Sequence, residues 1–242
     1  MKLLRKLSAC LGFLTILPVG MGFRSYRDVA RAAWLFPAVG ALIGFISGVV
    51  ALAALYFLPK SIATGVALFV LLLLTGFHHL DGLLDVADAA MVHGGRKDRL
   101  RAMHDLNHGV AAFGAGFCVL LLTFLALYEA RGMLPSLVVG EASAKFAMVL
   151  ACYSARGSSH PGMGEEFVRV LRGNHAALAL AFILYLPFLS LAWGDAAAVL
   201  LSVALAALLL VALSQRLFGG VSGDVLGAIN ELSRLVALVV ML

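Results

Sequence analysis

The sequence predicts an all-α fold: a polytopic membrane bundle of about seven transmembrane helices, with an amphipathic or re-entrant helix at its N-terminus. Three observations predict it. Hydrophobic residues are 62% and charged residues 13% of the 242 residues, where soluble chains run near ~45–50% and ~25%, and the mean hydropathy is +1.02. The apolar residues are gathered into runs about as long as the ~20 residues that cross a hydrocarbon core, leaving little chain for a soluble domain. The basic residues fall on alternate loops, as topology requires of a chain that crosses a bilayer repeatedly.

The elements follow in order. Leu3–Leu17 is too short to span comfortably and reads as a helix lying on or dipping into the cytoplasmic face. No convincing small-x-small cleavage site makes it a signal peptide. A first span runs from Trp34 to Leu58 and stops at Pro59; its Gly40, Gly44 and Gly48 form a flat row for close helix packing. A second reaches Phe77, and a polar central stretch follows. A third covers Val110–Tyr128, a fourth Leu134–Tyr153 with Glu141 and Lys145 inside it, and a second polar loop occupies Ser154–Asn174. Two more cover Ala176–Leu191 and Ala196–Leu213, and a last helix runs from Val225 to Leu242 after the polar Ser214–Asp224. No repeat or boundary divides the chain, which is expected to form a single integral-membrane domain over 1–242.

Charge then orients the bundle. Lys2, Arg5, Lys6, Arg24, Arg27, Arg31, Arg96, Lys97, Arg99, Arg101, Arg156, Arg169, Arg172 and Arg216 lie on one side, against Lys60 and Arg131 on the other. The basic side is expected in the cytoplasm, so every polar, chemistry-capable loop opens on that face. Topology accounts for the net charge of +5, and no nucleic-acid partner is needed. Cys10, Cys118 and Cys152 are scattered in or beside apolar runs and read as buried free thiols.

Phe77–Gly114 is the centre of the chemistry. It holds Asp81, Asp85, Asp88 and Asp105 and five of the seven histidines. On a helix Asp81, Asp85 and Asp88 share one face. Three like charges repel unless a cation sits on them, and Mg²⁺ suits carboxylate oxygens while keeping other positions for phosphate oxygens. A helix over Arg96–His104 would bring Asp105 back to the same face. A solvated acidic helix end is the plainer alternative. His78 and His79 read as acid/base groups or substrate contacts. Near the C-terminus, Gly219, Gly220 and Gly223 allow a tight backbone, and Asp224 either caps the last helix or faces an anion at its N-terminus. Asn230 and Glu231 lie inside an otherwise apolar helix, and Glu141 with Lys145 reads equally as a structural ion pair or a functional one. The arginines of the second polar loop read as phosphate ligands or, for Arg169 and Arg172, as topology signals.

Phe77–Asp88 (FHHLDGLLDVAD), Arg99–Gly109 (RLRAMHDLNHG) and Gly220–Glu231 (GVSGDVLGAINE) resemble three motifs of the cobalamin synthases, the adenosylcobinamide-GDP ribazoletransferases. LGFLTILPVG, WLFPAVGALIG and Gly162–Phe167 resemble further stretches of that family in the same order. The chain departs from the family's usual pattern at Ala89, Arg101 and Asn107, and Lys145 stands one position from a family arginine. The resemblance implies a multi-pass cell-membrane enzyme of cobalamin nucleotide-loop assembly. It would use Mg²⁺ to join adenosylcobinamide-GDP to α-ribazole or its 5′-phosphate, releasing GMP. It implies catalytic and metal roles for Asp81, Asp85, Asp88 and Asp105, a catalytic role for His79, and substrate contacts at His78, Gly82, Asn107, Gly109, Lys145, Gly223, Asp224, Asn230 and Glu231. A ribazole hydroxyl would attack the cobinamide-side phosphorus directly.

Two rival readings stand beside this one. A CDP-alcohol phosphotransferase also uses membrane-embedded aspartates, but its D-x-x-D-G-x-x-A-R run is absent here. A transporter would string polar groups along the midplane, whereas here they pool at one mouth. The lipid bilayer is the expected surrounding, and the oligomeric state is left open, a homo-oligomer included.

Overall fold

The computed structural model describes residues 2–19, 25–105 and 107–242. Arg24 of the charge count, Gly20 of the opening motif, Leu106 of the central motif and the side chain of Lys2 lie outside the described residues. The described residues form helices α1 (Lys2–Leu14), α2 (Tyr26–Ala30), α3 (Phe36–Leu55), α4 (Lys60–Leu74), α5 (His78–Met91), α6 (Arg96–Met103), α7 (Val110–Glu129), α8 (Met133–Ser154), α9 (Met163–Leu171), α10 (His175–Leu189), α11 (Ala196–Leu217) and α12 (Gly223–Val240), with a 3₁₀ turn at Ala33–Leu35. The fold is all-helical, as expected.

Helix α8 is the axis, with 83% of its span buried. Helix α3 lies along it because the Gly40–Gly44–Gly48 row lets the two backbones touch: a Cβ at Gly48 would sit 2.8 Å from Leu134 Cα, and one at Gly44 would overlap the Leu137 carbonyl. Helix α12 packs against α8 on one side and α5 on the other. The outward faces of α3, α7 and α11 expose large apolar side chains such as Phe45, Phe117 and Leu205, the surface a bilayer covers.

All seven segments expected to span are helical, while length and composition support four to six spans. Four helices, over Ala33–Leu55, Val110–Glu129, Met133–Ser154 and Ala196–Leu217, are long and apolar enough to cross; six spans result if two bent pairs each count as one. At 15 residues, α4 and α10 reach about 22 Å each, short of a ~30 Å core. Helix α12 carries Asp224, Glu231 and Arg234 within its 18 residues.

Helix α4 meets α5 at 88°. The bend comes from two consecutive left-handed residues, Gly76 at φ 61° and Phe77 at φ 59°, a conformation that is strained for a phenylalanine. It turns the polar α5 out of the apolar direction of α4, so that we read α5 as lying at the bundle's mouth, outside the membrane-spanning segments. At the opposite end Arg131 approaches Asp195 at 3.9 Å and the Leu242 carbonyl at 3.5 Å, and Lys60 lies over Tyr128. Cys10 and Cys152 are buried free thiols, but Cys118 is exposed, because it faces outward from α7.

Candidate active site at the mouth of the bundle

Two glycines set the site. A Cβ at Gly82 would lie 2.7 Å from the Asp224 carbonyl oxygen, and one at Gly227 would lie 2.9 Å from the His79 carbonyl oxygen. Only hydrogens there let α5 and α12 meet backbone to backbone, and this brings Asp224 to the aspartate face of α5. The turn before α12 is held in turn by the second polar loop: the Val221 N–H donates to the Gly157 carbonyl at 3.0 Å. Arg96 Nη2 donates to the Ser159 carbonyl at 3.1 Å. Three segments far apart in sequence are thus knitted into one polar end. The cap of α12 is Ser222, whose Oγ accepts the Val225 N–H at 3.3 Å; Asp224 is inside the first turn and not the cap.

On α5, Asp81 is exposed and Asp85 half-buried, and His108 stands between them with a ring nitrogen 3.8 Å from an oxygen of each. Partial burial first, then the charges of Asp81, Asp224 and Asp88 set against that of His108, push the Asp85 carboxyl up to about 6. The face therefore carries more negative charge than it can hold comfortably. Asp88 serves the backbone instead. Its carboxylate accepts the N–H groups of Gly109 and, at 2.8 Å, Ala112, and so closes the first turn of α7. Asp105 does not turn to this face through its hydrogen bonds. It is exposed, and its Oδ1 accepts the Asn107 N–H at 3.0 Å and Nδ2 at 3.2 Å, contacts that lower its carboxyl below the usual range. Among the described residues of that loop, His108 is the one that approaches Asp81 and Asp85.

Beside this face lies a cavity of about 410 Å³. Its polar rim is His78, His79, Asp81, Gly223 and Asp224, and its walls are apolar, from Phe13, Tyr26, Phe36, Met148, Met163 and Phe167. Phe13, Phe36 and Phe167 lie within 6.2 Å of one another by ring centroid. Helix α1 thus supplies one wall of the site. His79 is buried, and its Nδ1 has no hydrogen-bond partner.

Lys145, Asn230 and Glu231 lie below, fully buried with Glu141 and Arg234. Lys145 Nζ donates to Glu141 Oε2 at 3.1 Å and Asn230 Oδ1 at 2.6 Å; Asn230 Nδ2 donates to Glu231 Oε1 at 3.1 Å. Arg234 donates to Glu141 Oε1 at 3.0 Å and to Glu231. Two carboxylates and two cations close on one another with no exposed surface, so this set supports α8 and α12 beneath the cavity. Sequence reasoning gives no place to Arg234 or His160. For Arg234 the signal is its spacing, one turn past Glu231.

The donors would suit Mg²⁺: oxygen ligands, anionic, around a carboxyl whose proton affinity is raised by burial and by its like-charged neighbours. Asp81 and Asp85 could hold it. Asp88 is already engaged with two N–H groups and Asp105 with Asn107.

The family model described as cobalamin-5-phosphate synthase matches residues 6–242. The chain is 38% identical to the adenosylcobinamide-GDP ribazoletransferase of Halorubrum lacusprofundi, over 98% of this chain and 96% of that one. It is 34% identical to the enzyme of the same name from Pyrococcus abyssi (96% and 95%) and 28% identical to that of Methanosarcina barkeri (95% and 89%). No solved structure matches. The chain belongs to the cobalamin-5-phosphate synthase family.

Proposed function

We propose that this chain transfers the cobinamide-phosphate moiety of adenosylcobinamide-GDP to α-ribazole or α-ribazole 5′-phosphate, releasing GMP. The observation that carries the reading is the junction of an anionic face with a cavity walled by aromatic rings. Ribazole ends in a flat, apolar dimethylbenzimidazole, which would pack against the wall formed by Phe13, Phe36 and Phe167; ring stacking contributes about 0.5–1.5 kcal/mol per pair beyond burial. Its ribose would then lie toward His78, His79 and Asp81 on the rim. Nδ1 of His79 has no partner and is the acceptor for the proton of the attacking hydroxyl. Asp81 and Asp85 would hold Mg²⁺, with Asp224 adding negative charge beside them. Bound there, Mg²⁺ supplies charge neutralisation on the diphosphate during in-line displacement. Asp88 fixes the Asp-bearing helix to α7, and Gly109 is the partner in that contact. Direct attack breaks the bond between the cobinamide-side phosphorus and the bridging oxygen, which leaves with GMP.

The site is read as cytoplasmic. Arg96, Arg99, Arg156 and Arg172 bind backbone carbonyls or flank the polar loops at the mouth, while Lys60 and Arg131 lie at the far end. The positive-inside rule then puts the mouth in the cytosol.

The test is turnover by the full chain in nanodiscs with adenosylcobinamide-GDP, α-ribazole and Mg²⁺. GMP should appear in equal amount to the cobalamin product and depend on both substrates. Flux of substrate across proteoliposomes without GMP release would replace the reading with transport.

A further inference from the structure

A second cluster stands beside the aspartate face. Among the described residues, His104, His160 and Asp224 form a group whose metal-ligating atoms all lie within 4.8 Å of one another. They come from three different segments: the C-terminal end of α6, the loop before α9, and the first turn of α12. The two imidazoles meet edge to face, centroids 4.5 Å apart at 84°. His160 Nδ1 lies 2.9 Å from the Pro161 carbonyl oxygen. A carbonyl only accepts, so Nδ1 is the donor, and in the neutral ring Nε2 presents its lone pair. That Nε2 is buried, has no hydrogen-bond partner, and lies 3.9 Å from Asp224 Oδ2, too far for a hydrogen bond. A backbone carbonyl fixing the far nitrogen of a histidine is how metal-ligating imidazoles are oriented.

We propose that His104, His160 and Asp224 bind one divalent transition cation of borderline softness, such as Zn²⁺ or Co²⁺, separate from Mg²⁺ on α5. Ligand atoms about 2.0–2.1 Å from a tetrahedral ion stand roughly 3.3 Å apart, so the 3.9 Å between His160 and Asp224 closes with a small side-chain rotation. Two nitrogen donors disfavour Mg²⁺, which takes oxygen. Three protein ligands leave at least one position open. Asp224 also lines the cavity. An ion there would add positive charge to the rim that receives the diphosphate; that consequence rests on the proposed reaction, whereas the site itself does not.

The experiment is titration of the full-length protein in detergent, with any affinity tag removed, by Co²⁺ alone. Visible ligand-field bands should saturate at one Co²⁺ per chain and survive millimolar Mg²⁺. His104→Ala and His160→Ala should each weaken binding at least about tenfold, while His93→Ala leaves it unchanged. Cobalt-edge X-ray absorption of the unsubstituted protein, which needs no variant to fold, should count two imidazoles. No saturable binding, displacement by Mg²⁺, an all-oxygen shell, or bands lost in Asp85→Asn but kept in both histidine variants would overturn the proposal. Each readout is independent of turnover, so failure of the transferase reading would leave it standing.

Discussion

The carboxylate of Asp88 closes the first turn of a helix that begins more than twenty residues later: its Oδ1 accepts the backbone N–H of Ala112 at 2.8 Å. Its other oxygen takes the Gly109 N–H. Helix α7 opens on Gly109, which has no side chain to cap it, so the cap comes from α5.

Asp88 and Asp81 should therefore fail differently when replaced. Asp88→Ala strips two N–H groups of their acceptor and should cost about 1–2 kcal/mol of stability, the upper part of the range for lost caps. Asp81→Ala removes an exposed carboxylate with no such bonds and should not lower stability, since it relieves repulsion with Asp85, while abolishing turnover. Detergent-solubilised melting curves check this. Equal melting temperatures for Asp88→Ala and the parent protein would sink it.

Asp85 gives a pH signature. Its carboxyl is raised to about 6 by burial and by Asp81, Asp224 and Asp88, above its ordinary value near 3.9. A raised acid favours the folded state while protonated, so its contribution is present below about pH 4 and is lost as pH rises through 6. Without divalent ions, Asp85→Asn should melt higher than the parent protein at pH 7.5 and no higher at pH 4. Mg²⁺ needs the ionised form, so its stabilisation of the parent should be full at pH 7.5 and fade below pH 6. Melting curves that coincide from pH 4 to 8 in chelator, for parent and variant, would contradict the assignment.

What the sequence could and could not show follows from range. Asp81 and Asp85 are one helical turn apart, so their shared face is local and legible. So is the Gly40–Gly44–Gly48 row, which α8 fills. Asp88 looks like a third member of the face, because the N–H groups it caps belong to α7. Asp224 reaches Asp85 only because Gly82 and Gly227 let two helices touch, and no spacing rule reports that. Arg234 completes a ring of charge through Glu141, ninety-three residues away. The left-handed Phe77 is equally hidden: φ 59° at the α4–α5 bend runs against a phenylalanine's own preference.

Topology has a direct check. In a Cys118→Ser background, which removes the exposed native thiol, cysteines at Arg101 and Arg131 report opposite ends. Their side chains are 83% and 54% exposed. A membrane-impermeant maleimide applied to intact cells should label position 131 and reach position 101 only after permeabilisation. Labelling of both from outside would place the mouth on the wrong side of the membrane.

The buried ring of Glu141, Lys145, Glu231 and Arg234 makes the last prediction. Its charges sum to zero, and none of the four has more than 1% exposure. Arg234→Met leaves Glu141 and Glu231 facing a single cation, Lys145, and an uncompensated carboxylate in the core should cost about 3–5 kcal/mol. Adding Glu231→Gln removes that excess charge while Glu141 and Lys145 stay paired at 3.1 Å, so the double variant should recover much of the loss. Glu231→Gln alone leaves an excess positive charge and should also destabilise. The three variants and the parent form a cycle whose coupling energy isolates the pair. Additive losses, with the double variant the least stable of all, would mean that the ring does not act as a charge-balanced unit. Recovery of stability without recovery of turnover would place Glu231 or Arg234 in the reaction as well as in the scaffold beneath it.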